Sequence, residues 1–307
     1  DFAKAFDSVV HSKLIAKLRS FGICGMLLRW IESFLANRFQ AVRVGSSYSS
    51  ICNVISGVPQ GSVLSPVLFI FFVNDIMLDN VSVKLFADDA KIYTVINDFT
   101  NSSNQLQHSL DLVASWADQW QLKLSPSKCS VMRLVGNRSV SNQGPMYYTV
   151  GACSLPIVSL CTDLGVSYDN HLNFKSHISR IVKKAAGRAK CILKCFVSRD
   201  KLLLTRAFCT FVRPLLEFSS VIWCPYYINE IKKIETVQRT FTKSMGNLRV
   251  STYSERLVIL NLDSLQCRRL KADLVMCYKI LNGLLDIDSS CFLRGNCTPP
   301  LVVTHLN

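Results

Sequence analysis

The chain has 307 residues, 49% hydrophobic and 18% charged, a composition that excludes an intrinsically disordered protein and suffices for one large or two ordinary domains. Its longest apolar run, residues 67–73, is too short to span a membrane. The net charge of +14 is unevenly placed: residues 1–172 carry 13 Lys/Arg against 12 Asp/Glu, and residues 173–307 carry 22 against 9. The basic second half favours a polyanionic partner.

The 13 cysteines are odd in number and scattered, without the Cys-x₂-Cys pairs typical of a zinc site. A metal site built from Cys291, Cys297 and His305 would lack a fourth ligand. We therefore expect free thiols, no disulfide-linked partner, and a reducing compartment, the cytoplasm or the nucleus.

The first half of the chain mixes helical and strand patterns. Apolar spacing predicts a helical region over residues 14–35, and a hairpin follows around Gly45. The run Gly-Val-Pro-Gln-Gly at 57–61 precedes an apolar helix that extends to Ile76, with Ser62 as its N-cap.

Alternating apolar residues at 82–87 and 90–96 then predict two strands joined by a turn. A helix is expected over 106–116 and a strand over 129–134, whereas residues 178–280 are almost entirely helical in pattern. The predicted fold class is α+β. An antiparallel sheet packed on helices is expected in residues 1–172, and a mainly helical, basic region in residues 173–307.

The turn between the two predicted strands carries adjacent carboxylates, Asp88 and Asp89. Like charges side by side repel each other unless a cation lies between them, and hard oxygen ligands suit Mg²⁺. Because Asp is also common in ordinary turns, the pair alone does not identify a metal site. Nucleotidyl transfer with two metal ions needs carboxylates from different strands, and Asp1 is the other candidate.

Five segments in order resemble the motifs of reverse transcriptases from non-LTR retrotransposons. They are Asp-Phe-Ala-Lys-Ala-Phe-Asp at 1–7, Ser-Gly-Val-Pro-Gln-Gly at 56–61, Phe-Ala-Asp-Asp at 86–89, Leu-Lys-Leu-Ser-Pro-Ser-Lys at 122–128 and Leu-Gly-Val at 164–166. The second half, including Arg-Pro-Leu-Leu-Glu-Phe at 213–218, resembles the thumb of the jockey and chicken-repeat-1 group. Phe86 replaces the family's usual tyrosine, a common variant in this branch.

The resemblance implies an RNA-directed DNA polymerase that transfers nucleotides from dNTPs to the 3′-hydroxyl of a DNA primer on an RNA template. It implies two Mg²⁺ ions, with Mn²⁺ as an alternative. Asp1 and Asp88 would hold both metals, with help from the Phe2 carbonyl, and Asp89 would be the third carboxylate. No membrane is expected as a partner.

The same resemblance assigns roles around the nucleotide. Phe6 would exclude a 2′-hydroxyl by its bulk, although an ordinary core aromatic would show the same pattern. Gln60 and Gly61 would lie against the nucleotide, or belong to a plain loop. Lys128 would protonate or neutralise the pyrophosphate, with a solvated lysine as the equal alternative. We expect Asp7 to cap a helix.

For nucleic acid, Leu164 and Gly165 would form the primer grip. Four cations on one helical stretch would follow the phosphates of a template–primer duplex: Lys183, Lys184, Arg188 and Lys190. Trp223, Tyr226 and Tyr227 are candidates for stacking on bases, although for Trp223 we favour packing in the core.

The chain begins inside the first motif, without the fingers segment that precedes it in the family. We therefore expect a fragment with weak or no activity of its own. The alternative is a non-catalytic nucleic-acid-binding remnant of a transposable element. A polymerase that makes RNA on an RNA template shares the paired carboxylates and is the third interpretation.

Overall fold

The computed structural model describes residues 2–76, 81–96, 99–134 and 147–287. The chain divides into two compact units, Asp1–Ser159 and Leu160–Asn307, each with its own hydrophobic cluster. The predicted boundary after residue 172 rested on the change in charge, whereas this division follows the packing of the backbone. Helices combined with short antiparallel strands confirm the mixed α+β class.

The described residues of the first unit form five helices and eight short strands. The helices are α1 (Ala5–Ser8), α2 (His11–Ser20), α3 (Gly25–Leu35), α4 (Leu64–Val73) and α5 (Phe99–Trp120). The strands are β1 (Phe39–Gln40), β2 (Arg43–Val44), β3 (Ser47–Tyr48), β4 (Cys52–Asn53), β5 (Ser82–Phe86), β6 (Asp89–Tyr93), β7 (Thr149–Val150) and β8 (Cys153–Ser154). A 3₁₀ turn covers Pro126–Lys128.

The described strands pair as separate two-stranded antiparallel sheets, and they do not join into the single sheet expected in residues 1–172. Strand β2 pairs with β3 across Gly45, which confirms the predicted hairpin, and β1 pairs with β4 on either side of it in the chain. The N-cap of α4 is Val63 and not the predicted Ser62, which lies one residue earlier. The Ser62 hydroxyl nevertheless accepts a hydrogen bond from the Ser65 amide at 3.1 Å.

The predicted strand over residues 129–134 is wrong for the part that the structure describes. Only Val131 makes a bridge, parallel to Ile157. Its amide donates to the Pro156 carbonyl at 3.0 Å, but Pro156 has no N–H with which to extend the pairing. The segment therefore remains extended without becoming a regular strand.

The core of the first unit lies between α2, α4, α5 and the first residues of the chain. Spacing of three and four residues puts the apolar side chains of each helix on one face, where they exclude water. The fully buried members of this cluster, called the first core here, include Phe2, Leu14, Leu18, Phe69, Phe72 and Leu122.

The second unit begins with the hairpin β9 (Leu160–Asp163) and β10 (Val166–Asp169). Seven helices follow: α6 (Lys175–Cys195), α7 (Lys201–Phe211), α8 (Arg213–Glu217), α9 (Ser220–Trp223), α10 (Ile228–Lys243), α11 (Tyr253–Leu260) and α12 (Leu265–Leu281). Their apolar faces meet in a second core around Ile178, Leu204, Phe208 and Ile234. No helix in the described ranges is long and apolar enough to cross a membrane.

Candidate functional site

The two carboxylates predicted as metal ligands lie at the tip of the β5–β6 hairpin. Phe86 pairs with Asp89, so that Ala87 and Asp88 form a two-residue turn. Ala87 has φ of 52°, a left-handed conformation that costs a residue with a side chain about 1 kcal/mol. The strain is maintained by the strands on both sides, and strain of this kind is frequent at functional sites.

Asp88 is half-buried and Asp89 is exposed. Within the described part of the chain, neither carboxylate has a hydrogen-bond or ion-pair partner. Two adjacent negative charges without a cationic neighbour repel each other, and a divalent cation would remove that cost. The pair is therefore suited to a hard cation such as Mg²⁺.

The hairpin packs on the same core as the first residues of the chain. Leu85, Ala90 and Ile92 contact the first core, which contains the fully buried Phe2. Phe2 bridges Leu124 in antiparallel fashion, and its ring lies 6.1 Å from the Trp116 ring. Asp1 lies outside the described residues, so its position relative to Asp88 remains a prediction.

A loop spanning residues 56–61 is bonded along the segment that follows Phe2. This contact is the main feature that joins the first two motifs in space. The bonds run from Gly57 N to Val9 O at 2.7 Å, from Val58 N to Phe6 O at 2.8 Å and from Ser56 Oγ to Asp7 O at 2.9 Å.

Gly57 is required by the closeness of this approach. A Cβ atom at Gly57 would lie 2.8 Å from both the Cα and the carbonyl oxygen of Asp7, and the residue has φ of 85°. His11 Nε2 donates to the Gly57 carbonyl at 2.8 Å. Sequence reasoning singled out neither residue for a role, although the first glycine of the Gly-Val-Pro-Gln-Gly run was a usable signal.

Gln60 and Asp7 are joined by their side chains. The amide Nε2 of Gln60 donates to Asp7 Oδ1 at 2.9 Å. The prediction that Asp7 caps a helix is wrong, because Asp7 lies inside the four-residue α1 and the position before that helix is Lys4. Gly61 has φ of 84°, and a Cβ atom added there would meet no atom within 4 Å.

Phe6 and Lys128 occupy different environments. Phe6 is half-buried and stacks on Phe69, with ring centroids 4.5 Å apart. This contact fixes the Phe6 ring while one part of it stays exposed, so both predicted roles, steric gate and core aromatic, remain open. Lys128 ends the 3₁₀ turn with an exposed side chain.

The described residues do not contain a complete set of ligands for the predicted metal site. No group of three or more His, Cys, Asp or Glu side chains within them is arranged to hold a metal ion. Asp88 and Asp89 would supply two sets of carboxylate oxygens, and Asp1 would supply the third. The donor set consists of hard oxygens, which fits Mg²⁺ or Mn²⁺.

The predicted primer grip is a tight turn in the second unit. Leu164 and Gly165, with φ of 44° and 87°, connect β9 to β10, and positive φ at both central residues matches the twist of a hairpin. Arg180 of α6 donates to the Gly165 carbonyl at 2.8 Å. The turn is therefore attached to the helix that carries the basic residues.

The four predicted phosphate-binding cations, Lys183, Lys184, Arg188 and Lys190, are all exposed on α6. Its buried side carries only small and aliphatic residues beyond His177. Arg180 and Lys194 extend the same exposed surface, which we call the basic face of α6. Neither was singled out from the sequence, although both occur at helical spacing from Lys183 and Lys190.

The aromatic residues of the second unit separate as predicted. Trp223 is buried, and its Nε1 donates to the Phe218 carbonyl at 2.8 Å, which confirms a core role. Tyr226 and Tyr227 are exposed and meet edge to face, with centroids 5.9 Å apart. Lys175 Nζ lies over the Tyr227 ring, 5.6 Å from its centroid, so Tyr226 is the more accessible of the two for stacking.

Comparison with known proteins adds an independent observation. Residues 1–168 match the reverse transcriptase (RNA-dependent DNA polymerase) family. The chain is 28% identical over 213 residues to the RNA-directed DNA polymerase from mobile element jockey of Drosophila melanogaster, covering 66% of this chain and 23% of that protein. It is 26% identical over 253 residues to the probable RNA-directed DNA polymerase from transposon X-element of the same fly, covering 78% and 27%. The chain thus spans about a quarter of the length of these relatives.

Proposed function

The chain belongs to the reverse transcriptase (RNA-dependent DNA polymerase) family, which confirms the resemblance, and on this premise we propose that it is part of an RNA-directed DNA polymerase of a non-LTR retrotransposon. One observation carries the proposal. The strained hairpin with Asp88 and Asp89 packs on the same core as Phe2 and Phe6, and the loop with Gln60 is bonded to that segment.

In this proposal residues 1–172 are the palm and residues 173–307 are the thumb with the C-terminal region. The palm assignment is supported by the paired carboxylates and by the loop contacts around Asp7. The thumb assignment is supported by the helical composition of the second unit and by the basic face of α6.

Asp1, Asp88 and Asp89 would hold two Mg²⁺ ions, with the Phe2 carbonyl as an additional ligand and Mn²⁺ as the alternative metal. The chemistry that metal ions would supply there is activation of a primer 3′-hydroxyl and stabilisation of the charge at phosphorus. The protein's own contribution is to hold the carboxylates in place, since the turn at Ala87 and the packing of Leu85 and Ala90 restrict their movement.

The dNTP would lie between the first two motifs. Phe6, fixed by its stacking on Phe69, would exclude a 2′-hydroxyl by its bulk. Gln60 would contact the sugar or the base pair, and the open space at Gly61 would let the backbone approach the nucleotide. Lys128 would neutralise or protonate the leaving pyrophosphate.

An RNA template paired with a DNA primer would lie against the second unit. The basic face of α6 would bind phosphates without reading sequence, and would follow the A-form shape of the hybrid. The turn at Leu164 and Gly165 would grip the primer, and Tyr226 with Tyr227 would stack on unpaired bases.

Primer extension tests the catalytic proposal. The chain, and a longer form that covers more of the length of its jockey relative, are incubated with an RNA template, a DNA primer and Mg²⁺. We expect incorporation of dNTPs in preference to rNTPs. Folded protein that binds the hybrid but incorporates no nucleotide in either form would contradict it and support the non-catalytic remnant, and preference for rNTPs would support an RNA polymerase.

Salt-dependent binding tests the nucleic-acid proposal separately. Lys183→Ala combined with Arg188→Ala should lower affinity for an RNA–DNA hybrid and reduce the slope of log affinity against log salt by about 1.5, since each lost phosphate contact contributes about 0.7–0.9. Lys232→Ala with Lys233→Ala removes the same charge from exposed positions on α10 and is the control. Equal slopes for the two double variants would exclude a specific role of α6.

A further inference from the structure

Two cysteines lie together on the exposed side of α6. Cys191 and Cys195 are one helical turn apart, both are exposed, and their Sγ atoms are 3.9 Å from each other. Residues at this spacing face the same way on a helix. Gly187, one turn before Cys191, leaves open space beside them.

The two sulfur atoms are too far apart for a disulfide bond. A disulfide needs sulfur atoms about 2.0 Å apart and Cβ atoms about 3.5–4.5 Å apart. On a regular helix the Cβ atoms of residues four apart are about 5–6 Å from each other. Closing the bond would therefore distort α6.

The observed separation instead fits two thiolates bound to one metal ion. With a metal–sulfur distance of about 2.3 Å and tetrahedral geometry, two thiolates on one zinc ion lie about 3.8 Å apart. The 3.9 Å between the sulfur atoms of Cys191 and Cys195 matches this sulfur–sulfur distance. Binding of a metal ion would therefore require no movement of the helix.

The surroundings influence how the thiols lose their protons. Arg188 and Lys194 are exposed on the same helix, and nearby cations favour the thiolate form. Two thiolates side by side repel each other until a cation joins them.

We propose that Cys191 and Cys195 form a two-thiolate site for one thiophilic divalent cation of the zinc and cadmium class. Binding replaces two S–H bonds by two metal–sulfur bonds and releases two protons. Because both sulfurs face solvent, the remaining coordination positions are open to water. The site shares no residue with the hairpin of Asp88, uses soft sulfur ligands in place of hard oxygens, and stands whether or not the chain is a polymerase.

Cadmium titration of the full chain tests the site, because thiolate ligands produce a charge-transfer absorbance in the ultraviolet. Cys191→Ser combined with Cys195→Ser should remove one tightly bound equivalent of Cd²⁺. Each single variant should lower the affinity for that Cd²⁺ ion at least about tenfold, since one of the two thiolate ligands is lost. Affinity should rise with pH as the two protons become easier to displace.

The double variant Cys24→Ser with Cys52→Ser removes two other exposed thiols and should leave that equivalent unchanged. Far-ultraviolet circular dichroism checks that α6 stays folded in every variant. The proposal is overturned if the Cys191 and Cys195 double variant binds Cd²⁺ as the control does, or if one single variant keeps full affinity, which would indicate monodentate binding only.

Discussion

The Gln60 side-chain amide donates to the Asp7 carboxylate, Nε2 to Oδ1, across 2.9 Å at the surface of the first unit. The bond joins a residue of the Gly-Val-Pro-Gln-Gly run to a residue of the first motif. An exposed hydrogen bond of this kind adds only about 1 kcal/mol to stability. Its main consequence is that it fixes the orientation of the Gln60 amide. The amide oxygen takes no part in this bond and can face a nucleotide.

Asp7→Ala should therefore reduce the efficiency of dNTP use rather than the stability of the fold. We expect kcat/KM for dNTP to fall about tenfold, the effect of about 1.4 kcal/mol, chiefly through KM. Asp7→Asn keeps an acceptor oxygen and should restore much of the loss. Asp118→Ala, at an exposed position on α5, is the control. Unchanged steady-state kinetics in Asp7→Ala would show that Gln60 needs no such support.

The two glycines of the loop should respond differently to alanine. Gly57→Ala places a Cβ against the Asp7 backbone and should cost about 2–4 kcal/mol, because strain and overpacking add. Gly61→Ala meets no atom and should cost only about 1 kcal/mol for its positive φ. Urea denaturation measures both. If Gly61→Ala were the more destabilised protein, the account of the loop contact would be wrong.

The sequence predicted the elements that depend on periodicity and missed those that depend on contacts between distant residues. Alternation was enough to find the β5–β6 hairpin, and helical spacing was enough to find α5, α6, α10 and α12. By contrast, the role of Gly57 depends on the backbone of Asp7, about fifty residues earlier, and Arg180 acts on a carbonyl fifteen residues away. No local pattern contains such information.

Lys17, in the first core, is another residue whose contacts depend on distant parts of the chain. Its side chain is only 3% exposed, its Nζ lies 2.5 Å from Asp75 Oδ1, and the Trp120 ring centroid is 3.7 Å away. Trp116 Nε1 also donates to Asp75 Oδ1, at 3.1 Å. Burial lowers the pKa of Lys17, and Asp75 partly offsets this. Nothing in the local sequence distinguishes Lys17 from a surface lysine of an amphipathic helix.

Lys17→Met should lower the free energy of unfolding by about 2–3 kcal/mol, because it leaves the half-buried Asp75 without its counter-charge. Adding Asp75→Asn should recover a large part of this, since the amide oxygen introduced there would still accept from Trp116. Lys123→Met, at an exposed site, should change stability little. Additive losses in the double variant would show that the two side chains are not coupled.

We predict that the stability of the second unit depends on pH through His177. Burial, followed by the charge of Arg180, lowers the pKa of His177, and its Nδ1 accepts from the Ser167 amide at 3.2 Å. The unfolded chain therefore binds a proton more readily than the folded one. Stability is fully present above the unfolded pKa of about 6.5 and is lost as the pH falls below it.

Denaturation profiles collected from about pH 5 to about pH 8 test this. His177→Asn should flatten the decline below pH about 6.5, because its side chain keeps an acceptor but does not titrate there. His171→Asn changes an exposed histidine and should leave the profile as it is. A profile unaffected by His177→Asn would exclude this residue as the cause.

Mg²⁺-dependent dNTP incorporation by Asp88→Asn tests the central claim most directly, in the primer-extension assay and with Asp118→Asn as the control. The substitution keeps the size of the side chain and removes the charge that would hold the metal. The account predicts a loss on the order of 10³-fold, about 4 kcal/mol of transition-state stabilisation, with thermal stability unchanged or raised. Incorporation by Asp88→Asn within about a factor of ten of the unsubstituted chain, where Asp118→Asn is also active, would contradict it.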